Sequence, residues 1–457
     1  MNRMYNIVAQ LCSYFINTCN EDFFVHYSCV SKTELNRTLT ILEKDLPSLY
    51  EGRETHILKE SEITDELLDA IENIFERLKQ EKDYSCIMHL TMTLDEALSD
   101  ILLEEGKKFQ TADYTTVLNI NRESTGVGLL PRYSCCWERK NRLAHRYNRM
   151  DNFLFNFLLM ENTILDELID IHHFLDPDFF PHFEKSKTLK VAATPLRREP
   201  DFDFVKCDDG KMNYYKVDYH EDTNDKNNNL IWQKILNSAE NHCDIIVFPE
   251  GISNPETVKF VQYKITSLAE KEQTTLPGLI ILPSLCEERD NTATILNRKG
   301  EILFQQKKQN PVRMMLDGTP YLEKLNPSHV INILHYEGIG RIAILICKDF
   351  LTTKYLEQLM RCFKLTLIIV PSFSTGSYDF HQSSDICAHD DCNVVWINSC
   401  AAIAPGKESN FENIGYVRKR ISRYDDESQS LRVMPTCPKA FDGTCDHSCI
   451  FFETMGM

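Results

Sequence analysis

The chain has 457 residues, 42% of them hydrophobic and 26% charged. That length points to two domains, and the composition excludes both a mini-protein and wholesale disorder. Lys plus Arg number 50 against 68 for Asp plus Glu, a formal charge of −18, which excludes polyanion binding by the whole surface and leaves nucleic-acid contact to a local basic patch.

No apolar run reaches the roughly 18 residues of a membrane span. The apolar start at Ile7, Val8 and Leu11 is broken by Gln10, Asn17 and Asn20, so no signal peptide is read either. The 17 cysteines, odd in number and scattered through apolar stretches, fit a reducing cytoplasm better than a disulfide framework.

Up to about residue 174 the periodicity is helical. Leu67, Leu68, Ile71, Ile74, Phe75 and Leu78 form one apolar stripe, entered through Thr64 as N-cap with Asp65 and Glu66 in the first turn. Thr93 and Glu96 read as a capping box that opens a helix through Leu98, Ile101 and Leu102, with Gly106 as its stop. The spacing of Phe153, Phe157, Met160, Ile164, Leu168 and Ile171 predicts one long helix over 151–174. The prolines of Asp176-Pro177-Asp178-Phe179-Phe180-Pro181 then end the period, which gives a helical domain over 1–180. His172, His173 and His182 are read as decorating this linker.

Beyond the boundary, short β-rich runs at 189–193, 244–248, 279–282, 341–346, 366–370 and 394–397 alternate with helical stretches. The alternation predicts an α/β domain with a buried sheet over 188–457. The polar stretch 208–229 is expected to be an inserted surface loop.

Three strand-like runs lead into a reactive side chain: 245–249 into Glu250, 300–307 into Lys308, and 342–346 into Cys347. Singly, each has a bland explanation as a turn, a solvated edge or a small core residue. Brought together at strand ends they make a covalent catalyst: the carboxylate takes the thiol proton, the ammonium stabilises an oxyanion, and sulfur attacks a carbonyl or nitrile carbon.

The order and flanks of these motifs resemble the nitrilase superfamily of carbon–nitrogen hydrolases, with its Glu-Lys-Cys triad. Asp244-Ile-Ile-Val-Phe-Pro-Glu250 is similar to the strand ending in the general-base Glu, with a helix at 230–240 before it. Asn291-Thr-Ala-Thr resembles the next hairpin, and the spacing from Gly300 selects Lys308 over Lys307, with Pro311 after it. Arg341-Ile-Ala-Ile-Leu-Ile-Cys347-Lys-Asp349 resembles the strand and elbow of the nucleophile, followed by Leu367-Ile-Ile-Val-Pro371 and by Cys392-Asn-Val-Val-Trp-Ile-Asn398. Within 188–457 the resemblance covers about 188–400, and the remainder only through a final strand expected near 449–452. It implies an αββα sandwich, a homodimer or higher assembly, no cofactor, and hydrolysis of a small amide or nitrile through a thioester. Where the family often has a second Glu after the lysine, the nearby carboxylates are Asp317 and Glu323, neither at a matching spacing. Asp390-Asp391 replaces a common Glu-Asn, and the basic cluster Arg418-Lys419-Arg420 has no counterpart.

In the helical half, Arg139-Lys140-Asn141-Arg142-Leu143-Ala144-His145-Arg146-Tyr147 resembles the signature of HEPN domains, helical bundles that include metal-independent ribonucleases. That resemblance implies a second site at Arg139, His145 and Tyr147, with His145 as acid or base on a ribose hydroxyl. The alternative function is therefore a defence or toxin-like effector whose helical half cleaves or binds RNA, or recruits a protein partner, while the second half senses a metabolite or acts as scaffold. Cys437, Cys445, His447 and Cys449 match no common zinc spacing and are read as core of the last strand, so no metal is expected.

Overall fold

The computed structural model describes residues 2–110, 122–138, 148–196, 202–208, 210–220, 224–269, 275–403, 413–421, 430–437, 439 and 444–456. The chain divides into two compact units, one of Met1–Ser134, Arg139–Asp166 and Arg361–Lys364, the other of Cys135–Glu138, Glu167–Met360 and Leu365–Met457. No helix among the described residues is long and apolar enough to cross a membrane.

The first unit is helical over most of its described length and also carries two two-stranded sheets, Tyr50–Glu51 with Glu54–Thr55 and Val127–Pro131 with Phe157–Glu161. Thr64 caps the helix Asp65–Glu81, its side chain accepting from Leu67 N, and the apolar stripe of that helix joins a core with Leu11, Phe15, Leu42 and Leu94. Two expectations fail here. Thr93 does not open a helix: Asp83 caps a helix over Tyr84–Ala97, and Thr93 sits buried inside it, hydrogen-bonded to Tyr50. Gly106 is not a stop either, because it lies within Ser99–Gln110, where a Cβ would come within 2.6 Å of the Tyr133 ring. That glycine makes room rather than a turn.

The long helix expected over 151–174 is absent. In its place are a 3₁₀ turn at Met150–Phe153, the strand Phe157–Glu161, a short helix Asn162–Leu165 and the strand Ile169–Phe174. Phe157 to Met160 are all buried, so the segment is apolar on both faces and its period could not tell strand from helix. The buried Asp95 carboxylate accepts the N–H groups of Phe155, Asn156 and Phe157 at 2.7 to 3.1 Å, holding the chain extended where a helix would have consumed those donors.

The second unit is built on two seven-stranded sheets. One runs Leu285–Glu287, Asp290–Asn297, Leu279–Ile281, Ile245–Val247, Thr188–Ala193 and Phe451–Gly456, with Ile302–Lys307 also paired to Asp290–Asn297. The other runs Leu431–Pro435, Asn413–Arg418, Asn393–Asn398, Leu367–Ser372, Gly340–Ile344, Val330–Tyr336 and Ile169–Phe174. In each sheet the three central strands are parallel, and all of them but Thr188–Ala193, where Thr188 and Lys190 are partly exposed, are buried throughout their length, which is why they read as apolar runs.

The helices Asn224–Glu240 and Thr257–Ala269 cover the first sheet through Ile231, Ile235, Val261 and Ile265. The helix Tyr378–His389 covers the second, with Phe380 stacked on Trp396 at 4.9 Å. The remaining faces meet: Asn332 donates to Gln306 at 3.1 Å, and His173 stacks on Phe304 at 4.7 Å. The layers are therefore α, β, β, α, as the resemblance implies.

Three details differ from expectation. The stretch 208–229 is no simple loop, since Phe202–Asp208 and Asn213–Tyr219 pair antiparallel and a helix starts at Asn224. Tyr215, Val217 and Tyr219 alternate with Lys216 and Asp218, and that period of two supplies one packed face. His172 and His173 do not decorate a linker. Both are buried in a strand, His172 between Asp170 at 2.7 Å and His335 at 2.8 Å, and His173 against Asn332 at 2.9 Å. The final strand is Phe451–Gly456, two residues past Cys449, so the late cysteines precede it rather than fill its core.

Candidate active site

Strand ends of both sheets deliver Glu250, Lys308 and Cys347 to one buried place, where they are 4%, 1% and 2% exposed. Glu250 follows the strand Ile245–Val247, and its backbone N–H donates to Ser372 O across to the other sheet at 3.3 Å. One of its carboxylate oxygens accepts from Lys308 Nζ at 2.7 Å and Asn291 Nδ2 at 2.8 Å, and the other from Phe373 N at 2.8 Å. Lys308 follows the strand Ile302–Lys307, and its own N–H donates to Asn291 O at 2.8 Å. Lys307 is outside this set and pairs with Asp290.

Cys347 stands at a sharp elbow with φ 47° and ψ −101°, a strained conformation for a residue with a Cβ and one that costs about 1–3 kcal/mol. Its N–H donates to Pro371 O at 2.9 Å, and Sγ lies 4.0 Å from Phe373 O. Two residues on, the buried Asp349 accepts from Gln309 N at 3.0 Å, Asn310 N at 2.7 Å and Asn310 Nδ2 at 2.9 Å. The elbow is thus tied to the loop that carries Lys308.

Glu323 also belongs to this set, which its spacing in the sequence does not indicate. Its carboxylate accepts from Lys308 Nζ at 2.8 Å, Asn291 Nδ2 at 3.1 Å and Val312 N at 3.0 Å. Parallel pairing of Thr319–Glu323 with Asn213–Tyr219, which sets Glu323 opposite Tyr215, brings it there. Asp317 instead pairs with Lys206 at the surface.

The electrostatics follow from that geometry. Burial opposes the charge on Lys308, but Glu250 and Glu323 outweigh it and hold the ammonium well above the ordinary lysine range. The thiol of Cys347 is raised well above its ordinary value, first by burial and then by the facing Glu250, with Lys308 only partly offsetting them. Lys308 alone would favour a thiolate. With its charge shared by two carboxylates, the resting sulfur keeps its proton, and a base must remove it as the sulfur reacts.

Two cavities adjoin the site. A chamber of about 30 Å³, room for about one water, is walled by Glu250, Glu323, Asn291, Phe202, Phe204 and Phe373. It shares Tyr215, Val217, Cys286, Asn291 and Glu323 with an open cavity of about 610 Å³.

The other sequence candidates fare differently. Arg139, His145 and Tyr147 lie outside the described residues, and the helix expected after them at 151–174 is not formed. Among the described residues no group of three or more His, Cys, Asp or Glu side chains could hold a metal ion. Cys437, Cys445 and Cys449 are half-buried, and Cys445 Sγ is 3.7 Å from His447 Nδ1. Within the basic cluster, Arg418 pairs with Asp385 at 2.8 Å and Lys419 with Glu453 at 3.0 Å.

No protein-family model and no curated protein matches the chain. Among solved structures it is similar to the Caenorhabditis elegans NitFhit protein, at 15% identity over 59% of this chain, with a TM-score of 0.36. That match spans 61% of the NitFhit chain, less than two thirds of its length. An amidase from Nesterenkonia sp. AN1, in a complex with acrylamide, is similar at 12% identity over 59% of this chain and 92% of its own, with a TM-score of 0.39. Saccharomyces cerevisiae Nit3, a member of branch 10 of the nitrilase superfamily, is similar at 14% identity over 59% and 90%, with a TM-score of 0.37.

Proposed function

We propose that the chain is a cysteine-dependent hydrolase of the nitrilase-superfamily type, cleaving a non-peptide carbon–nitrogen bond of an amide or nitrile through a thioester. The observation that supports this most is the Lys308 ammonium held between Glu250 and Glu323 at 2.7 and 2.8 Å, beside the Cys347 elbow.

In this reading Glu250 takes the thiol proton as Sγ attacks the carbonyl carbon of an amide. Lys308 stabilises the oxygen that becomes negative, and its fixed position means that little reorganisation is needed at that moment. The tetrahedral species collapses with breakage of the C–N bond. Glu250 returns the proton to the departing nitrogen, which leaves as ammonia or an amine. Water then attacks the thioester, Glu250 again takes a proton, and the carboxylic acid departs as the thiol re-forms. Glu323 acts through Lys308, keeping it charged and aimed. Turnover of short primary amides and nitriles by the full chain, lost in Cys347→Ala and Glu250→Gln, tests the reading; full turnover in Cys347→Ala overturns it.

A further inference from the structure

The open cavity that shares Asn291 and Glu323 with the small chamber beside Glu250 has a strongly uneven lining. Asp218, Glu256, Glu287, Glu288 and Asp290 stand on its walls against Lys216 and Lys324, with Glu323 at the inner end. Glu256 and Asp290 have lysine partners of their own, Lys259 and Lys307. Among the described residues, Asp218, Glu287 and Glu288 have no cationic partner.

A second observation points inward to a ligand. Asn291, 2% exposed, lines both the chamber and the open cavity. Its amide nitrogen is committed to Glu250 and Glu323 at 2.8 and 3.1 Å, and two carboxylates at that end fix which way the amide faces. The carboxamide oxygen therefore faces away from them, and it accepts no hydrogen bond. A buried acceptor without a donor is costly, and a ligand that supplies an N–H or O–H removes the cost.

The two features lie on one path. Asn291 is paired in register with Cys286, and Glu287 and Glu288 follow Cys286 directly, Glu287 closing the strand and Glu288 in the turn of the hairpin that leads back to Asn291.

Building on the proposed hydrolase reading, we infer that the substrate is an amide or nitrile whose acyl chain ends in a protonated amine. Its reactive carbon approaches Cys347 past the chamber, the N–H of an amide substrate is accepted by Asn291 Oδ1, and the ammonium reaches the carboxylates of Asp218, Glu287 and Glu288. A carboxylate-ended acyl chain would meet the same walls with repulsion.

The test compares primary amides of one chain length, roughly six carbons, ending in methyl, amine or carboxylate, with the full-length protein at low and high salt. The expected kcat/KM is about tenfold or more higher for the amine than for the methyl amide, and lowest for the acid. That preference should shrink at high salt and in the double variant Glu287→Gln/Glu288→Gln, which alters only exposed side chains, while circular dichroism reports that the variant folds. Equal or better turnover of the methyl amide overturns the inference and leaves the hydrolase reading standing. A preference for the amine that survives in the double variant overturns the assignment to these carboxylates. Turnover of none of the three amides by wild type, with Cys347 intact, counts against the hydrolase reading itself, and the inference falls with it.

Discussion

Glu323 and Lys308 meet at 2.8 Å across a separation of 15 residues, and Glu250 holds the other side of the same ammonium. Three charges in a buried place stabilise one another only as a set, because each pays for desolvation that its neighbours offset.

Removal of the central charge should therefore be worse than removal of an outer one. Lys308→Met leaves Glu250 and Glu323 facing each other in a dry site and is expected to cost about 3–5 kcal/mol of stability, as for other broken buried pairs. Glu323→Gln keeps an acceptor for Lys308 and should cost less. Urea unfolding of both variants checks the order, and a more stable Lys308→Met would contradict it. For activity, Glu323→Gln should lower kcat about a hundredfold or less, while Glu250→Gln should abolish turnover.

The Cys347 elbow makes a separate stability prediction. At φ 47° and ψ −101° a Cβ is strained, and glycine is not. Cys347→Gly should be at least as stable as Cys347→Ala, against the usual preference for alanine. Thermal melts of the two variants decide this, and a clearly lower Tm for the glycine variant would count against a strained elbow.

Ionisation of Asp349 should appear in the pH dependence of stability. Burial pushes this carboxyl up to about 7 from 3.8. The folded chain thus keeps a proton that the unfolded chain releases, so this contribution is fully present below pH 3.8 and is lost as pH rises through about 7. Asp349→Asn should flatten that slope in unfolding curves collected between these limits. An unchanged slope would place its origin elsewhere.

Much of this geometry is legible in the sequence, and the exceptions have physical causes. The parallel central strands announce themselves because burial on both faces demands unbroken apolar runs such as Ile245–Val247 and Leu367–Ser372. The same rule misleads at Phe157–Glu161, where a short apolar run fits either period and Asp95, some 60 residues earlier, decides for extended chain. Glu323 escapes because its place depends on register with Tyr215, more than a hundred residues away in the chain, and not on its distance from Lys308. The orphaned oxygen of Asn291 is invisible without the two carboxylates that fix its amide.

Thiol reactivity separates access from chemistry. Cys347 is buried and its thiol raised, whereas Cys29 is exposed. A general alkylating agent at neutral pH should therefore label Cys29 well before Cys347. A small haloacetamide that fits the site as an amide should reverse that order, since Glu250 then takes the proton during attack. Peptide mapping by mass spectrometry reads both rates, and slow labelling of Cys347 by both reagents would count against an amide-accepting site.

The central claim is that Cys347 becomes acylated during turnover. Acid-quenched intact-mass analysis of the full chain after incubation with a library of short amides and nitriles tests it most directly. The account predicts an acyl adduct confined to the peptide that carries Cys347, strongly reduced in Glu250→Gln because the thiol there keeps its proton, and absent in Cys347→Ala. Hydrolysis without any adduct on Cys347, or an adduct that persists in Cys347→Ala, would contradict it.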